Sequence, residues 1–219
     1  MPAQIPLFPL GTVLFPGMPM PLHIFEPRYR RMMEEHSDEP IPFGVALIHS
    51  ARDPQSTLPS HDIGTSAHLT SKKHRPDGRW DIVAQGDRRF RILEIDDSRP
   101  YSMATVEWLD EELGDPTEAD TLLRIVAAQF HRYAGGVARL TGRHTLSFTM
   151  PEDPIRASYD LTSRLPLHTW ERQRLLECRT AVERLSELSY LTERELALLL
   201  HAGAAGLALN HPGGMFSLN

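Results

Sequence analysis

The sequence predicts an α+β protein with a β-rich first part and a helical second part. Up to about Leu109, short apolar runs such as FGVALI and FRILEI alternate with Gly, Pro and Asp, as in the strands of a compact β-domain. From Asp115 onward, apolar residues recur every three to four positions, which is the period of amphipathic helices. A chain of 219 residues that is 41% hydrophobic can bury a core without disulfides or metals, and Cys178 is its single cysteine.

The first 22 residues are uncharged and apolar, but they are interrupted by prolines at positions 2, 6, 9, 16, 19 and 21. Each proline inside a helix would cost about 3 kcal/mol, so a membrane-spanning helix is excluded here. A secretory signal is disfavoured as well, because the first basic side chain is Arg28. The segment therefore predicts two proline-containing edge strands, and the chain as a whole predicts a cytoplasmic protein.

The rest of the β-rich part predicts one helix and an antiparallel meander. Pro27 suits the first position of a short amphipathic helix that ends near His36. Pro76-Asp77-Gly78 predicts a turn, and a second reversal is expected near Gln85-Gly86-Asp87. The predicted strands cover residues 62–72, 79–86, 88–96 and 101–109.

The second part predicts four helices. The first begins at Asp115-Pro116 and is expected to stop at Gly135-Gly136, and the second runs from Asp153-Pro154 to about Arg164. The third lies in LPLHTWERQRLLE, and the fourth begins with a capping box of Thr180 and Glu183 and is expected to end at Gly203. The predicted organisation is a β-rich subdomain over 1–112, a helical bundle over 113–203 and a flexible tail over 204–219.

Chemistry that would indicate an enzyme or a metal site is not evident. GTSAH, which contains Ser66, lacks the last glycine of the G-x-S-x-G motif and lies in a strand pattern. The two lysines, Lys72 and Lys73, adjoin an exposed turn where burial could not lower the pKa of an amine. The eleven histidines show no H-E-x-x-H spacing and no C-x-x-C occurs, so no catalytic residue, metal or cofactor is predicted.

Two surfaces are candidates for binding. Phe15, Met18 and Met20 are separated by prolines and cannot share one strand face, so some of them are expected to be exposed as a polypeptide-binding surface; equally, they could close the end of a barrel. A basic stripe of Arg88, Arg89 and Arg91 is the alternative, but the net charge of −6 disfavours binding of nucleic acid.

The chain closely resembles the LON substrate-binding domain, the amino-terminal domain of ATP-dependent Lon protease. The resemblance rests on PLFPLGTVLFPGMPMPLHIFEPRYRRMM, FGVALI, IGTSAHL, DGRWDIVAQGDRRFRI, PYSMATVEWL, YDLTSRLPLHTWERQRLLE and RLSELSYLTERELALL, in that order from about residue 4 to 200. It implies a twisted, partly closed PUA-like β-barrel followed by a helical bundle, which in Lon engages substrate proteins and helps to assemble the hexamer.

The resemblance also implies which motif residues determine the fold, and none of them carries a catalytic role. These residues are Phe25, Glu26, Pro27, Arg28, Tyr29, Gly86, Arg89, Phe90 and Arg91. Strand alternation places Phe90 toward the core and directs Arg89 and Arg91 the other way. Nearby acidic residues, which include Glu26 by family analogy, are candidate partners for one of the two arginines.

The G-x-x-x-x-G-K-[ST] loop of the Lon ATPase is absent from the sequence, so a stand-alone LON domain without ATPase or protease is expected. The predicted function is non-enzymatic binding of unfolded or client polypeptides, as an adaptor or client receptor linked to proteolysis. The candidate partners are these polypeptides and a protease. The alternative is an RNA-binding PUA-like module. The sequence does not predict the oligomeric state.

Overall fold

The computed structural model describes residues 2–36, 41–47, 61–142 and 149–209. In this part the chain forms six strands and five helices, which confirms the α+β class. In chain order they are β1 (Ala3–Leu10), β2 (Pro19–Ile24), α1 (Pro27–Glu35), β3 (Phe43–Leu47), β4 (Ile63–His74), β5 (Trp80–Asp96), β6 (Met103–Trp108), α2 (Pro116–Leu140), α3 (Pro154–Arg164), α4 (Thr169–Glu177) and α5 (Ala181–Leu209).

The elements group into two compact units. Unit 1 contains residues 1–112 together with 168–179, and unit 2 contains residues 113–167 and 180–219. The structure departs from the expected division in one element, because α4 belongs to the β-rich unit and not to the helical one. The buried side chains of α4 explain this, since Gln173 donates to the backbone carbonyl of Ile63 in β4.

Unit 1 is built on one sheet whose strand pairings form a ring. The strand order is β2-β5-β4-β3-β1-β6, and β6 also pairs with β5. The pairing of β1 with β3 is parallel, and the other pairings are antiparallel. β2 pairs only with β5 among the described strands, so its two prolines lie in an edge strand, where a missing N–H is tolerated.

The predicted reversal at Gln85-Gly86-Asp87 is wrong, because β5 runs without a turn through these residues. Before Gly86 the strand pairs with β2, and from Phe90 onward it pairs with β6. The predicted turn at Pro76-Asp77-Gly78 is confirmed: it joins β4 to β5, Gly78 has φ of +78°, and its N–H donates to the carbonyl of Arg75.

The core of unit 1 is covered by α1, whose prediction from Pro27 onward is confirmed. Tyr29 is buried and stacks on Phe8 with ring centroids 4.0 Å apart, and Met32 and Met33 pack into the same cluster. Phe90 is fully buried in a second cluster. Tyr29 and Phe90 therefore occupy core positions, in keeping with fold-determining roles.

Unit 2 consists of α2, α3 and α5 packed against one another. The predicted helix starts are confirmed: the carboxylates of Asp115 and Asp153 accept backbone N–H groups at the starts of α2 and α3. The capping box is confirmed too, since the Glu183 N–H donates to Thr180 Oγ1 and the Thr180 N–H to Glu183 Oε2.

Two predicted helix ends are wrong. α2 continues through Gly135-Gly136 to Leu140, and α5 continues past Gly203 to Leu209. Gly136 permits close packing within unit 2, because a Cβ there would lie 2.6 Å from Leu199. Residues 210–219 of the predicted tail lie outside the described residues. None of the helices in the described part of the chain is long and apolar enough to cross a membrane.

Candidate functional site

The three predicted polypeptide-binding residues lie mostly inside unit 1. Phe15 is fully buried, Met20 is buried in the core beneath α1, and Met18 is half-buried. The expectation that some of them form an exposed apolar surface is therefore wrong for Phe15 and Met20. Only Met18 keeps part of its side chain at the surface, near the end of the segment that connects β1 to β2.

This connecting segment, residues 11–18, is held against β5 at Gly86. Gly17 has φ of +78°, and its N–H donates to the Gly86 carbonyl at 2.9 Å. The Gly86 N–H in turn donates to the Met18 carbonyl at 2.9 Å. A Cβ at Gly86 would lie 2.2 Å from the Phe15 carbonyl oxygen, so only glycine allows this approach. Gly86 therefore fixes the position of the segment, as a fold-determining residue would.

Arg172 of α4 reaches the same segment. Its guanidinium carbon lies 4.9 Å from the centroid of the Phe15 ring, within the range of a cation–π contact. Its Nη2 donates weakly to the Val13 carbonyl at 3.5 Å and lies 3.6 Å from Met18 Sδ. Its Nε is buried without a hydrogen bond, and burial lowers the pKa of the Arg172 guanidinium.

No motif in the sequence singles out Arg172, yet the helical spacing carries a signal for it. Arg172 precedes Leu175 by three residues and Leu176 by four, so all three lie on one side of α4. Both leucines are buried. An arginine at the centre of a buried helix face is unusual, and this position is the signal that sequence reasoning missed.

Arg89 is fully buried, which corrects the expectation that it points away from the core, and its acidic partner is Glu111 and not Glu26. Its guanidinium donates to Glu111 at 2.8 Å and to the carbonyls of Leu176 and Cys178 at 2.9 and 2.6 Å. A further donation reaches the Arg179 carbonyl at 3.4 Å. These carbonyls belong to the C-terminal end of α4, which lacks intrahelical donors and carries partial negative charge. Arg89 thus joins β5 to α4.

The other arginines near Phe90 do not form a free basic stripe. Arg88 lies over the Trp108 ring, with 3.7 Å between the guanidinium carbon and the ring centroid. Arg91 is exposed and pairs with Glu107 at 3.6 Å. Because Arg89 is buried, only two of the three arginines are exposed, and both have partners. This arrangement counts against the nucleic-acid interpretation.

The remaining motif residues have separate roles. Pro27 is the first residue of α1, and the Glu26 carboxylate accepts two hydrogen bonds from Arg28 at 3.0 and 2.7 Å. Glu26 therefore pairs within its own motif. Phe25, by contrast, is 60% exposed, so it contributes little to the core.

An apolar cleft lies beside α1 in unit 1. It measures about 270 Å³ including solvent at its mouth, and its lining includes Met32, Met33, Ile41, Phe43 and Leu69. Ile41 is the most exposed of these side chains. The cleft is shallow and was not found from the sequence, because it depends on how α1 packs on the sheet.

Ser66 and His74 contact backbone groups or other side chains of the fold, and neither lies in a catalytic arrangement. Ser66 is buried, and its hydroxyl donates to the Arg88 carbonyl at 3.1 Å, with no base beside it in the hydrogen bonds of the described chain. His74 packs against Trp80 with ring centroids 4.4 Å apart. Within residues 2–36, 41–47, 61–142 and 149–201, no group of three His, Cys, Asp or Glu side chains is placed to hold a metal ion.

Comparisons with known proteins agree on one family. The family model described as the ATP-dependent protease La (LON) substrate-binding domain matches residues 4–194. The Lon proteases of Azospirillum brasilense and Escherichia coli K12 are each 27% identical to the chain over 90% of its length. The chain spans about a quarter of the length of these curated relatives, 25% in both cases.

Two solved structures share the fold. A Lon N-terminal domain protein from Xanthomonas campestris is 24% identical, with a TM-score of 0.61, over 85% of this chain and 96% of that one. The N-terminal domain of a Mycobacterium avium complex Lon protease is 18% identical, with a TM-score of 0.61, over 87% of this chain and 98% of that one.

Proposed function

The chain belongs to the LON substrate-binding domain family, and from this we propose that it binds segments of unfolded polypeptide without catalysing a reaction on them. The observation that carries the proposal is the match of this family over residues 4–194. The closed ring of strand pairings supports a PUA-like barrel for unit 1, which stays a prediction, as does the bundle assignment for unit 2.

The apolar cleft beside α1 is the proposed contact for polypeptide. Its methionine side chains suit a permissive site, because methionine adapts to differently shaped partners. Burial of apolar surface on binding is favourable by ~25 cal/mol per Å². Association costs of roughly 4 to 15 kcal/mol offset most of that gain, so binding is expected to be weak and reversible.

A binding titration with purified components tests this proposal. The probe is a fluorescein-labelled, permanently unfolded polypeptide, followed by anisotropy, with the folded form of the same protein as the comparison. We expect binding of the unfolded probe only, weakened about tenfold by Ile41→Asp, since a charge at the mouth of the cleft would be desolvated. Leu93→Asp is the matched control, because Leu93 is exposed on β5 and does not line the cleft.

Three results would decide against parts of the proposal. Equal affinity for folded and unfolded probes contradicts binding of unfolded segments. Equal loss of affinity in the Ile41 and Leu93 variants removes the cleft as the contact. Displacement of the probe by single-stranded RNA favours the RNA-binding alternative.

A role as an adaptor or client receptor linked to proteolysis is the finer part of the proposal. It is motivated by the curated relatives, which are Lon proteases. Adding the purified chain to a Lon protease and an unfolded client should change the rate of client degradation in proportion to the amount of client bound. An unchanged rate at saturating chain contradicts the adaptor role and leaves polypeptide binding intact.

A further inference from the structure

Arg172 is a half-buried cation without an acidic partner in the described part of the chain. It contacts the Phe15 ring, the Val13 carbonyl and the Met18 sulfur, none of which carries a charge. Burying a guanidinium without a counter-charge is unfavourable, so the presence of Arg172 at this position needs an explanation.

The orientation of the guanidinium leaves one of its edges available. Nη2 makes only long contacts, and Nε is buried without a partner. Nη1 makes no hydrogen bond within the described residues, and Arg172 as a whole is only half-buried, so part of the side chain remains at the surface. A ligand that approaches from solvent would therefore meet Nη1 and Nη2, which together can hold both oxygens of a carboxylate.

The surroundings of Arg172 favour a carboxylate over a phosphate backbone. A nucleic acid needs several exposed cations along its path, whereas this site offers one arginine on an apolar base of Phe15 and Met18. The chain also carries a net charge of −6. A glutamate or aspartate flanked by apolar residues in a polypeptide matches both the single charge and the apolar base.

We propose that Arg172, above Phe15 and Met18, is a recognition site for an acidic side chain of a bound polypeptide. This inference rests on the proposed function and specifies one feature of its ligand. In this site Phe15 and Met18 form the apolar surface beneath the guanidinium. Phe15 is buried and Met18 is half-buried, so neither acts as the fully exposed contact that the sequence predicted. Gly86 supports the site indirectly, because it fixes the segment that carries both residues.

The test uses the full chain and two short fluorescein-labelled peptides that differ in one residue. One peptide carries Leu-Glu-Leu in a Gly/Ser context, and the other carries Leu-Gln-Leu. Wild type should bind the Glu peptide about tenfold more tightly, the effect expected of a charge-assisted hydrogen bond. Arg172→Met should bind both peptides with the affinity that wild type has for the Gln peptide.

Arg174→Met is the matched control. Arg174 lies two residues away on the exposed side of α4, with its guanidinium 5.9 Å from the Trp170 ring. This variant removes the same charge from the same helix and should retain the tenfold preference for the Glu peptide. A preference lost equally in both variants shows a general effect of charge and overturns the site.

The remaining outcomes separate the inference from the function on which it rests. If wild type binds both peptides equally, polypeptide binding stands and the acidic-residue site is overturned. If neither peptide binds, the proposed function fails and the inference fails with it. If an oligo(U) RNA binds and Arg172→Met abolishes that binding, the site serves phosphate and the peptide assignment is wrong.

Discussion

Two arginines of unit 1 have their guanidinium groups at α4, and the surroundings of the two groups differ: Arg89 reaches the helix from β5, and Arg172 belongs to the helix itself. At the C-terminal end, Arg89 donates to helix carbonyls and pairs with Glu111. In the first turns, Arg172 makes only long contacts with uncharged atoms and an aromatic ring. Arg89 is buried and Arg172 is half-buried, but only Arg89 recovers the lost hydrogen bonds with water through well-formed bonds within the protein.

This difference separates an arginine that determines the fold from one that is available to a ligand. The hydrogen bonds of the Arg89 guanidinium hold β5 and α4 together, so they stabilise the protein in the absence of any ligand. The guanidinium of Arg172 lacks such pairing in the described structure, and in our proposal a carboxylate of a bound polypeptide supplies it. The unpaired, half-buried charge lowers the stability of the free protein, and pairing on binding would remove that cost. Such a loss of stability is typical of binding sites.

The largest expected effect is that of Arg89→Met. This variant removes the five hydrogen bonds that Glu111 and the carbonyls at the end of α4 accept from Arg89, so we expect a loss of about 3–5 kcal/mol in the free energy of unfolding. Urea denaturation followed by circular dichroism measures it. Arg91→Met is the control, because Arg91 is exposed and its pair with Glu107 should contribute under about 1 kcal/mol. Similar losses in the two variants would show that Arg89 has no special role.

A second prediction concerns the segment under Arg172. Gly86→Ala places a methyl group 2.2 Å from the Phe15 carbonyl oxygen, and we expect a loss of about 2–3 kcal/mol in the free energy of unfolding. Gly11→Ala is the matched control, because a Cβ at Gly11 meets no atom within 4 Å. If Gly86→Ala is as stable as Gly11→Ala, the segment can shift freely and does not present Phe15 to Arg172 in a fixed position.

The fold was largely predictable where the determining interactions are local. The hairpin at Pro76-Asp77-Gly78 and the helix starts at Asp115, Asp153 and Thr180 depend on residues close in sequence, and all are confirmed. A capping side chain or a turn glycine acts within three or four residues, so the pattern alone carries the information.

The errors arose where a distant contact decided the outcome. Gly86 looked like a turn residue, but it serves the approach of the Phe15 carbonyl from another segment. Gly136 looked like a helix terminator, but it makes room for Leu199. The burial of Phe15 and the partners of Arg89 and Arg172 depend on α4, which is distant in sequence. Such packing cannot be read from spacing alone.

A third prediction extends the comparison to another group affected by burial. Burial raises the pKa of Tyr29 to about 12, with the Arg28 guanidinium opposing this shift and Glu26 adding to it. Because the folded-state pKa lies above the ordinary value of 10, the stability that the neutral phenol supports is present below about pH 10. It is lost as the pH rises toward 12.

Unfolding measured near pH 8 and near pH 11 tests the tyrosine. Wild type should lose about 1 kcal/mol more than Tyr29→Phe between these two pH values, since phenylalanine keeps the stacking on Phe8 but cannot ionise. The other tyrosines are common to both proteins and cancel in the comparison. An identical alkaline loss in the two proteins would show that the Tyr29 phenol is not desolvated.

The smallest expected change in stability is also the most direct test of the contrast between the two arginines. The same substitution is made at both arginines, and the free energy of unfolding of Arg172→Met is measured beside that of Arg89→Met and wild type. We predict that Arg172→Met is as stable as wild type or more stable by up to about 1 kcal/mol, because methionine buries without losing hydration of a charge. A loss that approaches the one at Arg89 would show that Arg172 already has an acidic partner within the chain, and would contradict its role as a site for a ligand.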